Sequence, residues 1–542
     1  MAASEYQFAP SERPLFPGSP FAPHHSWQRR VSYAVVGLLL GSASTFTNAL
    51  VNVNVGSLAG SLGLTLAQAS VLPAIYVAMN ATANLTLVRA RAQFGIPQVT
   101  LTLLAAYAFA AFVQVVLPGY GPAIAARATC GLAAAGLTTL TIYYLMQIFP
   151  VALRPLALVI GISLPQLGTP FARIIPVELL TTNNWHGLSL IELGVALAIA
   201  AVILAVPLPP SERSTAFEPA DFVTVALMVP AFLLICIVLG EGRLLWWTDR
   251  AWLGWSLVCA VPLLAAAITI ERNRARPLLQ IGWLGSRDIL RFAAVALLVR
   301  LALAEQTYGA VGLLTSGGLN NDQLRTLFAI VAFAMVLGAG TASLTLSERR
   351  LPYQVIVAAL IIALGAWIDS DATSITRPPQ LYWSQALIAF GTTLFIGPTL
   401  AYGFLRMFSK GPAHLVSLIV LFSITQNVGG LTGSAILGSY QVVTAKAYAA
   451  SLSDHLIAAD PQVAARIQNG VVVLSNVLGD PVLRGARGAG LLGQSLANEA
   501  NVLAFNDVFR LVAWLAFATA LYVAYLIVIY AMRRRREAMV SA

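Results

Sequence analysis

Between Val31 and Tyr530 the chain is a succession of uncharged apolar runs, most of them close to the ~20 residues an α-helix needs to cross a bilayer. Hydrocarbon offers no partner to a free backbone amide, so runs of this length are compatible with spanning helices and with little else. The composition agrees. Hydrophobic residues make up 58% of the chain and charged residues 10%, against roughly a quarter charged in soluble domains. The chain is therefore read as an all-α integral membrane protein. Apolar runs between charged or Pro/Gly/Asn breaks give fourteen candidate spans, near 31–54, 66–88, 97–117, 123–148, 155–180, 188–207, 221–240, 251–270, 289–315, 325–347, 352–369, 380–405, 413–440 and 505–531.

The formal charge of +10 reads as topology. Arg89/Arg91, Arg154, Arg213, Arg272/Arg274/Arg276/Arg287, Arg349/Arg350, Arg406/Lys410 and Arg533 to Arg536 fall on alternate connections. About 20 of the 32 Lys and Arg lie on that side with the N-terminal tail, and about 8 on the other, which makes the richer side cytoplasmic. The expectation is a multi-pass protein of a bacterial inner membrane with both termini cytoplasmic and no nucleic-acid partner. The first 28 residues, rich in Pro, Ser and aromatics, read as a mobile tail. The run after Arg29-Arg30 has no convincing cleavage site, so it reads as a first span and not as a signal peptide.

Catalytic chemistry finds little support. Cys130, Cys236 and Cys259 fall within apolar runs and read as small buried side chains. His24, His25, His186, His414 and His455 are scattered, with no metal spacing, Gly-rich phosphate loop or Ser-His-Asp arrangement among them. No cofactor is expected and an integral-membrane enzyme is disfavoured. A purely structural or receptor role would leave the charges inside the spans without a use beyond packing.

Those charges are the informative residues, since each costs at least about 2.5 kcal/mol at mid-bilayer. Arg127 opens the fourth span, Arg173 and Glu178 lie in the fifth, and Arg300 and Glu305 in the ninth. A spacing of five puts each pair about 140° apart around its helix. Partners on neighbouring helices are therefore favoured over local ion pairs. A proton-driven transporter needs a carboxylate whose proton affinity changes with its surroundings, and Glu305, deep in an apolar span, fits best. The other reading of Glu305 and Arg300 is a static pair fixing helix packing. Glu178, Glu192 and Glu241 lie nearer predicted ends, where solvation accounts for them equally well.

Uncharged polar stripes repeat at helical spacing. Asn48 and Asn52 share one face of the first span, and Tyr76, Asn80 and Asn84 one face of the second; Thr425, Gln426 and Asn427 interrupt the thirteenth. Such stripes either line a cavity or bond helix to helix, at about 0.6 kcal/mol per contact. Gly37-xxx-Gly41 and Gly429-xxx-Gly433 read as close-packing sites. Pro165, Pro170 and Pro176 should bend or loosen the fifth span, as in the broken helices of transporters. The connection from Gln441 to Ala504 is long and polar, with a helical start at Ala445 to Leu456. It is either a floppy insertion or a docking surface.

Several patterns in order resemble the fourteen-helix drug:proton antiporter branch of the major facilitator superfamily, the EmrB-like multidrug exporters. They are Arg127-xxx-Gly131 followed by Phe149-Pro150-xxx-Arg154; Asp221, Leu239-Gly-Glu-Gly242 and Trp247; Glu271 with Pro277-Leu-Leu279; and Gly397-Pro398 with Asn427-Val-Gly-Gly430 and Gly433. The resemblance spans nearly the whole chain. It implies a major facilitator fold, with a six-helix bundle at 31–207, two extra helices and a cytoplasmic link at 208–288, and a second six-helix bundle at 289–531 carrying the long periplasmic loop 441–504. Tails at 1–30 and 532–542 would be cytoplasmic. It further implies secondary active efflux of drugs or small amphipathic molecules by proton antiport and alternating access. Export or import of a specific metabolite or siderophore is the alternative. The implied partners are the substrate, membrane lipid, a periplasmic adaptor and an outer-membrane channel.

Thr47 stands where the first-helix pattern carries an acid, and Gln426 where the thirteenth carries an Arg. Coupling would then fall to Glu305 or Glu178, with Arg127, Arg173 and Arg300 as charged companions. The polar stripes Asn48, Asn52, Tyr76, Asn80, Asn84, Gln426 and Asn427 are the substrate-cavity candidates.

Overall fold

The computed structural model describes residue 12 and residues 19–150, 153–176, 186–408, 411, 414–457 and 459–541. Thirteen helices among them are long and apolar enough to cross a membrane. In the N-terminal half these are α1 (Trp27–Val53), α2 (Leu66–Phe94), α3 (Ile96–Val116), α4 (Tyr120–Met146), α5 (Arg154–Ile174) and α6 (His186–Ala205). Next come α7 (Pro219–Glu241) and α8 (Ala251–Asn273). After an interrupted helix α9 (287–316) follow α10 (Arg325–Leu344), α11 (Leu351–Asp369), α12 (Tyr382–Phe408) and α13 (Leu415–Asp454). A short α14 (Pro461–Val473) precedes α15 (Pro481–Ser541). With α9 the described residues hold fourteen candidate crossings, an even number that brings Trp27 and the end of α15 to one face, the terminal face.

Local chemistry explains where the helices begin, end and break. Thr65 and Gln68 form a reciprocal capping box at the start of α2. Gly95, at φ 85°, ends the helix in a conformation that suits glycine. That stop comes later than the expected end at 88, so Arg89 and Arg91 are helical residues and not loop residues. In α5 the prolines act as expected: the α-helix gives way to a 3-10 turn at Leu164–Leu167 and resumes at Gly168–Ile174.

The ninth span departs from expectation. In place of one helix over 289–315, Arg287–Ala302 ends in a turn at Leu303. A single π-helical turn at Glu305–Gly309 then leads into Ala310–Ser316. Widened turns of this kind tend to occur at functional positions.

Two six-helix bundles result. In the first, α4 packs against α1, α2 and α3, and α6 against α3; in the second, α12 packs against α10 and α11, and α15 against α9, α11 and α13. The halves meet along α2 and α13 and along α5 with α10 and α12. Of the extra pair, α7 lies along α2 and α8 lies outside it on α7, with only 17% of its span buried. Their link is fastened on the terminal face. The Glu271 carboxylate accepts the backbone N–H groups of Leu278 (2.5 Å) and Leu279 (3.0 Å), and Arg274 pairs with Glu218, Asp221 and Glu271 at 2.9, 2.8 and 2.7 Å.

Two regions expected to be loose are ordered. Residues 19–26 do not behave as a mobile tail: the Phe21 N–H bonds the Pro210 carbonyl (3.0 Å) and His25 bonds Gln147 (2.8 Å). The connection 441–504 is not a floppy insertion. Helix α13 has 40 residues and α15 has 61, so they run about 60 and 90 Å, well beyond a ~30 Å hydrocarbon core. Beyond the face opposite the termini, α14 packs on the start of α15. A Cβ on Gly470 there would lie 3.1 Å from the Gly488 Cα, so the two backbones cross almost in contact.

Candidate functional site

Between the two halves lies a cavity of about 590 Å³, within the ~300–1,000 Å³ of pockets that take drug-sized molecules. The polar stripes meet there. Asn48 and Asn52 of α1, Tyr76, Asn80 and Asn84 of α2, and Gln426 and Asn427 of α13 all line it. Helices α1 and α2 each turn one side toward the partner bundle, so residues four apart arrive in the same space. Part of this polarity joins helices: Asn80 Nδ2 donates to the Gly131 carbonyl (3.1 Å) and Asn427 Nδ2 to the Ser423 carbonyl (3.0 Å). Part is unspent, since Asn48 Oδ1 and both ends of the Gln426 amide are buried without a partner. Ile142, Ile162, Leu400, Phe404 and Phe422 supply apolar wall.

Three arginines also face this space: Arg91, Arg243 and Arg300. Arg300 Nε donates to the Gln426 carbonyl (2.8 Å). Arg243 donates to the Tyr308 hydroxyl (3.1 Å) and lies 4.9 Å over that ring. No Asp or Glu is among the described lining residues.

The remaining charges occupy three separate places. In the first bundle Arg127 of α4 forms a buried ion pair with Glu192 of α6. At the junction of the bundles Arg173 of α5 donates to Asn321 Oδ1 (2.6 Å) and stacks 5.0 Å over Phe328 of α10. In the second bundle Glu305, at 0% exposure, and Asp369, at 1%, share one donor. Gln385 Nε2 lies 3.0 Å from Glu305 Oε1 and 2.7 Å from Asp369 Oδ2. Glu305 Oε2 and Asp369 Oδ1 are buried with no partner. Arg173, Arg300 and Glu305 thus all find their partners on other elements, and Arg300 does not pair with Glu305. Glu178 lies outside the described residues.

Among solved structures, the POT family transporter PepTSo matches with a TM-score of 0.54 at 14% identity. The match covers 94% of this chain and 99% of that one. The proton:xylose symporter XylE matches at 0.53 and 12%, covering 90% and 95%. The human organic anion transporter MFSD10 matches at 0.50 and 14%, covering 91% and 100%. The chain has the major facilitator fold. No protein-family model matches the sequence, and no curated protein matches it.

In major facilitator terms the cavity sits between the two bundles and the carboxyl pair within the second. Sequence reasoning missed four of the residues involved. Asp369 closes α11 and was legible only as a boundary charge, and Gln385 carries no charge to draw attention. Glu192 and Glu241, expected near solvated ends, are 1% and 2% exposed, Glu192 against Arg127 and Glu241 hydrogen-bonded to Ser70. The signal available was that an acid in an apolar run needs a partner, and Arg127 was already in view.

Proposed function

We propose that this chain is a secondary active exporter of small amphipathic molecules in a bacterial inner membrane, working by alternating access and exchanging substrate for protons. The observation that carries this reading is the Glu305–Asp369 pair. Two carboxyl groups share one amide donor, have no cation in contact and leave two oxygens unpartnered in the protein interior. Burying two carboxylate charges together without a counter-ion is prohibitive. Holding one proton between them leaves a single charge shared over the pair, as in other carboxyl dyads. Glu305 lies on the interrupted helix that also presents Arg300 and Tyr308 to the cavity, and Asp369 faces it from the end of α11. A change of protonation at Glu305 therefore acts on the turn that shapes the substrate site.

Asp369 ends its helix at the face opposite the termini, which the charge distribution makes the periplasmic one. A second proton enters there, neutralises the pair and stays with it while the bundles rock. It leaves to the cytoplasm when substrate is taken up. Proton flux in proteoliposomes across an imposed pH gradient tests the scheme. Wild type should release protons on addition of substrate and Glu305→Gln should not, a loss of at least ~100-fold, or about 2.7 kcal/mol. Substrate-linked flux that survives in Glu305→Gln would remove the pair from the mechanism.

The helical extension is assigned a partner on the same footing. Val472, Val473, Val477 and Val482 cluster at its tip and are 65–81% exposed, a patch suited to a periplasmic adaptor that leads on to an outer-membrane channel. Replacing residues 461–480 by a short linker should abolish drug resistance in cells while leaving proteoliposome transport intact. Unchanged resistance sinks the assignment.

A further inference from the structure

We propose that the substrate is an organic anion, its acidic group held in the joint positive field of Arg300 and Arg243 along one face of α13. The inference rests on the reading of the central cavity as the transport site and specifies what that site takes.

The charge count of the wall comes first. Arg91, Arg243 and Arg300 line it, and no carboxylate among the described residues does. None of the three is in an ion pair with a described residue, whereas Arg127, Arg274 and Arg89 elsewhere in the protein each have an acid. Arg91 is 5% exposed, and its Nε and Nη2 are buried without an acceptor. Arg300 spends Nε on a neutral carbonyl, and its two Nη groups have no protein acceptor among the described residues. Glu241, two residues from Arg243, is turned to Ser70, and Glu305, five residues from Arg300, is turned to Gln385. Uncompensated guanidinium groups inside a membrane protein are costly and are offset by an anion. A cationic substrate would add a fourth positive charge to the same enclosed space.

The second observation is the track that holds two of these arginines. Gly430, Ser434 and Gly438 are spaced one turn apart on α13. A Cβ on Gly430 would lie 2.8 Å from Arg300 Nη2, and one on Gly438 would overlap Arg243. Glycine at both positions is what admits the two side chains. They cross the same helix face about 12 Å apart, with the Ser434 hydroxyl between them at the cavity wall. Guanidinium forks suit carboxylate, sulfonate or phosphate oxygens. Tyr308, beneath Arg243, and the Gln426 amide, with both ends unpartnered, add neutral hydrogen-bonding groups. The apolar body of an amphipathic anion would rest on Leu400, Phe404 and Phe422.

Equilibrium binding to the full-length protein in phosphatidylcholine nanodiscs tests this without requiring transport or protons. Three probes share one apolar body: 2-naphthylacetate, 2-(2-naphthyl)ethylamine and 2-(2-naphthyl)ethanol. The acetate should bind at least ~10-fold more tightly than the other two. Arg300→Gln and Arg243→Gln should each reduce acetate affinity ~10-fold and leave the alcohol unchanged, which also shows that the variants are folded. Arg300→Lys, which keeps the charge, should retain the preference for the acetate. Phosphatidylglycerol added to the nanodiscs should leave the acetate affinity within ~2-fold. A larger loss would mean that a lipid headgroup, and not a soluble anion, occupies the arginines. Equal or tighter binding of the amine, no acetate binding at millimolar concentration, or glutamine variants indistinguishable from wild type would each overturn the proposal. If anion binding holds and proton flux fails, the coupling scheme falls and the substrate assignment stands.

Discussion

The two bundles handle buried carboxyl groups in opposite ways. In the first, Glu192 is locked to Arg127, and the pair presents no net charge to its surroundings. In the second, Glu305 and Asp369 face one another through Gln385 without a cation. An ion pair with both members present has little reason to take up or release a proton, and its value lies in fixing α4 against α6. Two acids sharing a neutral amide can be accommodated only if one is protonated, which makes the second site responsive to the proton supply. Under the proposed scheme, the first site serves structure and the second serves coupling.

The largest effect should come from unbalancing the first site. Glu192→Gln leaves Arg127 as an uncompensated buried charge and should lower thermodynamic stability by about 3–5 kcal/mol. Adding Arg127→Gln should restore much of that loss, as read by thermal melting in detergent. The same change at the second site, Glu305→Gln, should leave melting unchanged or raise it, because it removes a charge that had no partner. Equal destabilisation at both sites would erase the contrast drawn here. The smallest change is Asp369→Asn, which keeps the shape and the bond to Gln385 but leaves Glu305 to titrate alone. Substrate-linked proton flux should fall ~10-fold and its pH profile should shift, because Glu305 loses the acid that shares Gln385 with it. An unshifted profile would mean that the two acids do not interact.

The spans were legible in the sequence because the bilayer imposes a length and a composition on every one of them. The alternation of Arg and Lys then arranges them, and the stripes Asn48/Asn52 and Tyr76/Asn80/Asn84 could be grouped because a helix repeats its faces. Pairing across helices was not legible. Arg300 and Glu305 looked like candidates for one another, yet one turns to the Gln426 carbonyl and the other to Gln385. Nothing in the run 289–315 marks the π turn, since no proline or glycine pair precedes Glu305. Arg91 was placed in a loop because a charge in an apolar run reads as its end. Its helix continues to Phe94 and carries the charge into the cavity. The polarity of 441–504 suggested a loop for the same reason, although a helix in water needs no apolar run.

That extension has a mechanical meaning. Helix α15 runs unbroken from the tip at Pro481 through the membrane to Ser541, so the tip cannot stay still while the second bundle moves. Some 24 residues of it, about 36 Å, stand clear of the membrane. A tilt of about 15°, comparable to known rigid-body transitions, would sweep its end through roughly 9 Å. The protein carries a pointer fixed to its second bundle, and any tilt of that bundle would be displayed at the tip as a displacement larger than the shift at its base.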